Sequence, residues 1–304
     1  MQSDVPPKVQ EQAATTLSNL AQNADNKVAI ASAGAIPPMV QLLLSNSPAA
    51  VLEQAAAALC NLALNGDNQV TIASAGAIPP MVQLLLSNSP AVVQEQAAAI
   101  LSNLALNDDN QVTIASAGAI PPMVQLLLCN CPDAVLEQAA AALCNLALID
   151  DNRVSIATAG AIPPPTVHLL GGCSPAAVHE NAAAALGNLA GNAENKVTIA
   201  SAGAIPPLVQ MLRSGSPEQV QRRAAFALKN LALNTENAVN ISAAGAIPAL
   251  VNLLGSGSDN TKLDASQALK EIGHGNTEIR GIIAAAAAAA SANLLQEIKR
   301  LGVC

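Results

Sequence analysis

The chain has 304 residues, of which 51% are apolar, and Phe226 is its only aromatic residue. Its core must therefore be built from Ala, Leu, Val and Ile, and side chains this small favour closely packed helices. The net charge of −8 is concentrated in residues 1–152, which hold twelve acidic and two basic residues, whereas residues 153–304 hold nine and eleven. This composition excludes the basic, aromatic-rich stripe typical of nucleic-acid binders, and it suits a basic partner or simple solubility.

The amino terminus carries no targeting pattern. The opening MQSDVPPKVQ lacks a basic segment followed by an apolar stretch, so we predict no secretion signal. The sequence also predicts neither a myristoylated start nor a prenylated end. The apolar run Gly281–Leu295 is short for a membrane span and mostly alanine, which indicates a packed helix. We expect no membrane partner and a cytoplasmic or nuclear location.

An internal repeat dominates the chain. The stretch ASAGAIPPMVQLLL at Ala31–Leu44 returns letter for letter at Ala73–Leu86 and Ala115–Leu128. Its GAIP core begins six times, at Gly34, Gly76, Gly118, Gly160, Gly203 and Gly245. The intervals are 42 residues except for one of 43, to which Pro165 contributes the extra residue. A period near 42 is typical of a stacked helical solenoid.

The repeat divides the chain into a single domain, residues 1–304, with two unusual ends. Residues 1–22 match a lone third helix and are predicted to be a half repeat. Six repeats of about 42 residues follow over 23–274. Residues 275–304 are predicted to form C-terminal capping helices, a first helix that runs into a longer one.

The second repeat predicts the local structure of each unit. Asp67-Asn68 is expected to cap a short first helix over about 68–75, and Gly76 to close it in the left-handed conformation. Ile78 precedes a proline and is expected outside the α region. Pro79 and Pro80 fit the first turn of a second helix, because the N–H groups that proline lacks would have no partner within the helix there.

The second and third helices of that repeat should each present one apolar face. The second helix carries Val82, Leu85 and Leu86 at helical spacing. Ser89-Pro90 predicts the start of a third helix over about 91–106, with the serine as N-cap. Its apolar stripe comprises Val92, Val93, Ile100, Leu101 and Leu104.

These motifs resemble those of the armadillo repeat family and of its consensus-type members. The residues that carry the resemblance are GAIPPMVQLLLSNSP and the LCNLAL or LSNLAL at the end of the third helix, and they cover nearly the whole chain. The resemblance implies an all-α, right-handed superhelical solenoid of three-helix repeats. It also implies a concave groove, lined by the third helices, that binds extended peptides or protein segments.

In that family an asparagine late in each third helix clamps the backbone of the ligand. The matching positions here are Asn19, Asn61, Asn103, Asn145, Asn188 and Asn230, and the next repeat departs from the pattern with Glu271. A carboxamide offers both a donor and an acceptor, so it can pair with a peptide N–H and C=O together. The alternative is that each asparagine bonds a neighbouring helix end or is solvated.

The tryptophan that many peptide-binding members carry four residues before the asparagine is missing. The positions hold Thr15, Ala57, Ala99, Ala141, Ala184 and Phe226. Tryptophans would form slots for long basic side chains, so their loss argues against a nuclear-import adaptor and predicts a shallow alanine floor. Phe226 is either an aromatic contact for a ligand or a residue that fills a gap between repeats.

A polar row is predicted beside the asparagines. Seven residues before them lie Gln12, Gln54, Gln96, Gln138, Asn181 and Arg223, and one position earlier lie Glu11, Glu53, Glu95, Glu137, Glu180 and Arg222. Helical spacing places the former on the groove face. We predict that Gln54, Gln96, Gln138, Arg222, Arg223 and Phe226 join the asparagines in binding a peptide that is basic at one end and acidic at the other. A solvated charged face is the alternative.

No catalytic or phosphate-binding motif occurs, so we predict no enzyme, no cofactor and no metal. Most of the six cysteines stand where sister repeats have serine, which indicates reduced thiols. Cys129 and Cys131, with Cys173 and His168 nearby, are a conceivable metal site, but chance replacement of serine is favoured.

The predicted function is a non-enzymatic scaffold that binds an extended, partly basic peptide or protein segment. Self-association through the terminal repeats stays open. Two alternatives also stay open. The identity of the repeats and the alanine floor fit a structural or designed solenoid without a selected ligand. The half repeat fits the adaptor segment of a larger protein such as a ubiquitin ligase.

Overall fold

The computed structural model describes residues 5–44, 47–86, 89–129, 131–162, 166–171, 174–300 and 302–303, without the side chain of Glu297. Pro165 and Cys173, named above for the repeat spacing and the cysteine cluster, lie outside these residues. Within them the regular elements are helices, and the extended pairing is limited to an isolated bridge between Ser214 and Ser216. The prediction of an all-α protein is confirmed.

In the repeats whose three helices are all described, the helices follow the predicted order of short, short and long. The first helices are α2 (Ala24–Ser32), α5 (Gly66–Ser74), α8 (Asp108–Ser116), α11 (Asp150–Thr158), α13 (Ala193–Ser201), α16 (Thr235–Ala243) and α19 (Thr277–Ala290). The second helices are α3 (Ile36–Leu44), α6 (Ile78–Leu86), α9 (Ile120–Leu128), α14 (Ile205–Met211) and α17 (Ala246–Ser256). The third helices are α1 (Pro7–Leu20), α4 (Ala49–Leu62), α7 (Ala91–Leu104), α10 (Asp133–Leu146), α12 (Ala176–Leu189), α15 (Glu218–Ala232) and α18 (Asp259–Gly273). The last helix is α20 (Ala292–Arg300).

The chain forms two compact units, Met1–Asn152 (unit one) and Arg153–Cys304 (unit two). In unit one the third helices pack in series, α1 on α4, α4 on α7 and α7 on α10. In unit two α12 packs on α15 and α15 on α18. Third helices also pack on the second helix of their own repeat, as α4 does on α3 and α15 on α14. Each unit is therefore an α solenoid, in which stacking buries faces that a lone repeat would expose.

The first helix of the second repeat begins at Gly66, two residues earlier than predicted, and its N-cap is Asn65. Asn65, in an extended conformation, accepts a hydrogen bond from the backbone N–H of Asn68, so the prediction of an Asp67-Asn68 cap is wrong. The same cap recurs at Asn23, Asn107, Asn192, Asn234 and Asn276. An asparagine at this position satisfies an N–H that the helix itself leaves unpaired. Before α11 the position is occupied by Ile149.

The turn between the first and second helices is as predicted at Gly76, which has a φ of 81°. The glycines of the other five GAIP copies are also left-handed. The prediction for Ile78 is wrong, because α6 begins at Ile78 and the backbone N–H of Met81 bonds to the Ala77 carbonyl. The Ile78 side chain is almost fully buried, and this burial offsets the modest backbone penalty of preceding a proline.

The predicted apolar faces are correct except at their edges. Val82, Leu85, Val93, Ile100, Leu101 and Leu104 are buried. Leu86 is 61% exposed and Val92 is 45% exposed, so both were wrongly assigned to the core-facing side. Helix α7 begins at Ala91 with Pro90 in the N-cap position, and not Ser89 as predicted. It ends at Leu104, two residues earlier than predicted.

A second series of asparagines, not recognised in the sequence, lies in the core of the first helices. Asn68, Asn110, Asn152, Asn195 and Asn237 are buried. Each side-chain amide donates to the carbonyl six residues earlier, at Leu62, Leu104, Leu146, Leu189 and Leu231 respectively. Four of them also donate to the first helix of the preceding repeat, at Lys27, Gln69, Arg153 and Lys196. These first-helix asparagines thus connect successive repeats through buried hydrogen bonds.

The alanine-rich carboxy-terminal run forms parts of two helices. Helix α19 ends at Ala290, Ser291 is extended with φ −169° and ψ 152°, and α20 begins at Ala292. The Ser291 hydroxyl accepts a hydrogen bond from the backbone N–H of Leu294. In the part of the chain that is described, no single helix is long and apolar enough to cross a bilayer, although four bent helix pairs reach that length and composition jointly.

Candidate functional site

In unit one three of the third-helix asparagines are held in place by the preceding third helix. The Nδ2 of Asn61 donates to the Ser18 carbonyl at 3.0 Å, that of Asn103 to the Cys60 carbonyl at 3.3 Å, and that of Asn145 to the Ser102 carbonyl at 3.0 Å. Each asparagine therefore bonds to a residue 43 positions earlier, near the end of the neighbouring helix. This hydrogen bond is the alternative role that the sequence left open.

These hydrogen bonds use the Nδ2 group of each carboxamide as donor. A carboxamide has two N–H donors and an acceptor oxygen. The side-chain oxygens of Asn61, Asn103 and Asn145 accept no hydrogen bond from the described residues, and all three side chains are half-buried. The anchored N–H fixes the orientation of the amide, so the remaining acceptor is presented in the same way in three successive repeats.

The other predicted asparagines differ in their surroundings. Asn19 is exposed on α1, the first of these helices, and its side chain has no anchoring bond to a described residue. Asn188 is half-buried on α12. Asn230 on α15 donates to the Gly187 carbonyl at 2.7 Å, which repeats in unit two the arrangement of unit one.

The alanine floor and the glutamine row of unit one lie on the same helices. Ala57, Ala99 and Ala141 are buried or half-buried one turn before the asparagines. Gln54, Gln96 and Gln138 are half-buried. The Oε1 of Gln54 lies 3.1 Å from the Thr15 hydroxyl, and the Nε2 of Gln138 lies 3.4 Å from a carboxylate oxygen of Glu137. Amide side chains thus lie on the same helices before and after the alanines.

Phe226 in unit two fits against a glycine of the neighbouring helix. A Cβ placed on Gly187 would lie 2.5 Å from the Phe226 ring, so only glycine leaves room for it. The corresponding positions in other repeats pair alanine with serine or cysteine, as Ala99 with Cys60. The ring therefore fills a gap between repeats, and the Lys229 ammonium also lies 4.7 Å from its centroid.

Helix α15, which carries that ring, also carries the charged side chains of Arg222, Arg223 and Lys229. Arg223 and Glu180 form an ion pair at 3.4 Å, and Lys229 donates to Gln267 at 3.2 Å. The Nε of Arg222 is buried without a hydrogen-bond partner among the described residues. Burial raises the pKa of Asp264, while Lys229 and the two arginines act in the opposite direction.

Glu218 connects the start of α15 with the start of α18 through hydrogen bonds. Its carboxylate accepts hydrogen bonds from the backbone N–H of Ser258 at 2.7 Å and from the Thr261 hydroxyl at 2.8 Å. The hydrogen bonds from Ser258, followed by that from Thr261, lower the pKa of Glu218 to about 2. Hydrogen bonds to the charged form of a carboxyl favour that form.

The cysteines differ from the expectation in one place. Cys129 and Cys131 form a disulfide, with Cα atoms 5.2 Å apart, so the prediction of reduced thiols is wrong there. The turn after α9 brings the two Cα atoms within the range that a disulfide can bridge. Cys60 and Cys144 are not part of a disulfide. Burial raises the pKa of Cys60 to about 11, with a further contribution from Glu95. The described residues contain no cluster of side chains suited to a metal ion.

The repeats match a known family. The armadillo/β-catenin-like repeat pattern matches residues 23–64, 67–106, 107–148 and 234–273, more than half of the chain. The chain belongs to the armadillo repeat family. A HEAT-like repeat pattern matches residues 176–231 within this armadillo scaffold. No curated protein matches the sequence.

Solved structures similar to this armadillo chain include engineered proteins. One engineered protein, a structural genomics target, is 33% identical with a TM-score of 0.85, over 93% of this chain and 69% of that one. A designed armadillo repeat protein in complex with the peptide (KR)4 is 31% identical with a TM-score of 0.69, over 78% and 99%. One of the computationally designed armadillo repeat proteins for modular peptide recognition is 34% identical with a TM-score of 0.69, over 78% and 99%.

Proposed function

We propose that this armadillo chain is a non-enzymatic scaffold that binds an extended, partly basic peptide on the third-helix face of unit one. The observation that carries the proposal is the set of three equally oriented amides, Asn61, Asn103 and Asn145. An extended peptide has unpaired N–H groups along its backbone, and each amide oxygen offers one of them an acceptor. Two similar structures support a peptide as the kind of partner, one of them with (KR)4.

The charge of unit one favours basic side chains in the ligand. Glu53, Glu95 and Glu137 each lie beside a glutamine of the third-helix face, and all three are half-buried. The half of the sequence that forms unit one holds twelve acidic residues against two basic ones. Such a surface attracts a cationic peptide, and the attraction weakens as salt screens it. On α15 of unit two the matching positions hold Arg222 and Arg223, which we propose contact acidic side chains.

The alanine floor limits the contacts that the scaffold can make with the side chains of the peptide. Ala57, Ala99 and Ala141 provide no aromatic slot for a lysine or arginine stem. Recognition in unit one then depends on the backbone and on net charge. We therefore expect moderate affinity, strong dependence on salt and little preference between lysine and arginine.

Peptide binding by matched variants tests this proposal. Labelled extended peptides, one Lys/Arg-rich, one neutral and one acidic, are titrated with the wild type and with an Asn61→Ala, Asn103→Ala, Asn145→Ala variant. A Gln83→Ala, Gln125→Ala variant removes exposed amides of second helices and is the control. We expect the basic peptide to bind the wild type and the control, and to bind the triple variant much more weakly.

Folding must be checked because the asparagine amides also connect helices. Far-ultraviolet circular dichroism and a thermal melt show whether the triple variant remains folded at the temperature of the titration. Equal binding to a folded triple variant would refute the role of the asparagines. Failure of every peptide to bind the wild type would favour the second candidate, a structural solenoid in which the asparagines serve only to connect repeats.

A further inference from the structure

The connection between α9 and α10 carries a pair of cysteines that the matching connections of the two preceding repeats lack. Cys129 and Cys131 stand where those repeats have serines, at Ser45 and Ser47 and at Ser87 and Ser89. The third helices α4, α7 and α10 nonetheless begin alike, because each follows an N-cap proline with nearly the same φ and ψ. The Cys129–Cys131 disulfide is therefore not required to start a third helix.

The residue on one side of this disulfide is open to solvent. Cys129, the first residue after α9, is exposed, and Cys131 is half-buried two positions later. In thiol–disulfide exchange a thiolate must approach one of the two sulfurs, so access to the sulfur affects the rate. Exposed disulfides are also among those that are most easily reduced. An external thiol would thus attack the sulfur of Cys129.

Reduction of the disulfide should cost the folded chain little stability. The stabilisation that a disulfide gives by restricting the unfolded chain grows with the length of the loop that it closes, and here one residue separates the cysteines. Helices α9 and α10 also pack directly on one another. The Cys129 sulfur lies 3.0 Å from the Leu126 carbonyl oxygen, which offers the reduced thiol an acceptor. The fold is therefore compatible with both the oxidised and the reduced pair.

The other described cysteines are less suited to this chemistry. Cys60 and Cys144 are half-buried on third helices and take no part in a disulfide. Burial, followed by the charge of Glu95, raises the pKa of Cys60 to about 11, so its thiol stays protonated near neutral pH. The thiolate is the nucleophile in exchange reactions, and Cys60 should therefore react slowly.

We propose that Cys129 and Cys131 form a thiol–disulfide exchange site for small soluble thiols of the glutathione class. The thiolate of one small molecule attacks the Cys129 sulfur, the bond to Cys131 breaks, and Cys131 leaves as a thiolate that takes up a proton. A second small thiolate attacks the small-molecule sulfur of this mixed disulfide and releases Cys129, which is protonated in turn. The protein gains two electrons and two protons, and two small thiols are oxidised to one small disulfide.

The exchange site is separate from the third-helix asparagines. Cys131 lies just before α10, whereas Asn145 lies near the other end of that helix, twelve residues after Asp133 or about 18 Å along the axis. The exchange site therefore goes beyond the proposed peptide binding and does not depend on it.

A redox titration of the full chain tests the exchange site. The protein is equilibrated with mixtures of reduced and oxidised glutathione, quenched with acid and alkylated, and each cysteine is then assigned by mass spectrometry of peptides. The test variant is Cys131→Ser, which leaves Cys129 without its partner. The control is Cys60→Ser, and both substitutions introduce the residue that another repeat has at that position. Circular dichroism verifies that every protein is folded in both redox states.

We expect Cys129 and Cys131 of the wild type and of Cys60→Ser to change together, from a disulfide in oxidised glutathione to two thiols in reduced glutathione. Cys131→Ser should instead keep a mixed disulfide on Cys129, formed about tenfold or more faster than on Cys60. A pair that stays oxidised in reduced glutathione until the chain unfolds would overturn the proposal, because the disulfide would then be structural. So would a pair that stays reduced in oxidised glutathione, or a mixed disulfide that forms on Cys60 as fast as on Cys129.

Discussion

The two series of asparagines, seven residues apart in the sequence, should contribute unequally to stability. Asn110, a first-helix asparagine, is 5% exposed and donates to the Leu104 carbonyl at 3.1 Å and to the Gln69 carbonyl at 3.4 Å. Asn103, a third-helix asparagine, is half-buried and donates to the Cys60 carbonyl at 3.3 Å. The first connects repeats inside the core, and the second does so at the edge of a candidate binding face.

The expected magnitudes follow from the number of bonds and their burial. Asn110→Ala removes two buried hydrogen bonds, each worth about 1 kcal/mol net, and leaves a small cavity, so we expect a loss of about 2 to 3 kcal/mol. Asn103→Ala removes one bond that water can partly replace, so we expect about 1 kcal/mol or less. The difference between the two substitutions is the quantity that tests the reasoning.

Urea unfolding followed by far-ultraviolet circular dichroism measures both variants under the same conditions. The dependence of the unfolding free energy on urea should stay unchanged, so that a shift of the midpoint reports stability. If Asn103→Ala lowers the unfolding free energy as much as Asn110→Ala does, the assignment of separate roles is refuted. A loss below about 0.5 kcal/mol for Asn110→Ala would refute the importance of the buried bonds.

Three further predictions concern single features of the repeats. Ile149→Asn should raise the thermal melting temperature, because it supplies α11 with the side-chain cap that other first helices have, worth about 1 kcal/mol, and an unchanged melt would contradict it. Phe226→Ala should lower the free energy of unfolding in urea by about 2 kcal/mol, since the ring is half-buried. Adding Gly187→Ser should recover part of that loss, because the other repeats pair an alanine with a serine or cysteine at these positions. If the double variant recovers no stability, the gap-filling role of Phe226 is refuted. Glu218 has its pKa lowered in the folded state, so its stabilisation is present above pH about 4.5 and is lost towards pH about 2. The melting temperature of the wild type should therefore fall more steeply over that pH range than that of Glu218→Gln. If the melting temperatures of the two proteins fall in parallel, the stabilising role of Glu218 is refuted.

The sequence was sufficient for the repeat and its order of helices, because the 42-residue period and the GAIP turn are local patterns. It was also sufficient to place the glycine turn, since left-handed backbone strongly favours glycine. The error at Ile78 concerns the backbone, because burial of its side chain offsets the penalty of preceding a proline. The errors at Leu86 and Val92 have one cause. Whether a residue at the edge of an apolar face is covered depends on the neighbouring repeat, which helical spacing within one repeat does not describe.

The candidate site was predictable as a row of residues but not as a set of contacts. The spacing of Asn61, Asn103 and Asn145 placed them on equivalent turns, yet the carbonyl to which each one bonds belongs to another repeat. The first-helix asparagines have the same period and could have been found by it, but only their burial distinguishes them from the third-helix series. Pro38 is exposed and Pro80 is buried, although both lie in identical stretches of fourteen residues, so these residues alone cannot predict the difference.

The bond that anchors Asn61, Asn103, Asn145 and Asn230 to the preceding third helix has a consequence for chains of different length. Since the bond runs from one repeat to the carbonyl of the repeat before it, the first asparagine in any stack has nothing to orient it, as Asn19 illustrates. Duplicating one internal repeat would thus add one oriented amide, and deleting one would remove one, whereas the initial amide would stay free to rotate. The number of ordered acceptors in unit one is therefore set by the number of interfaces between repeats. A ligand that bonds to these acceptors would find one more of them for each interface that is added.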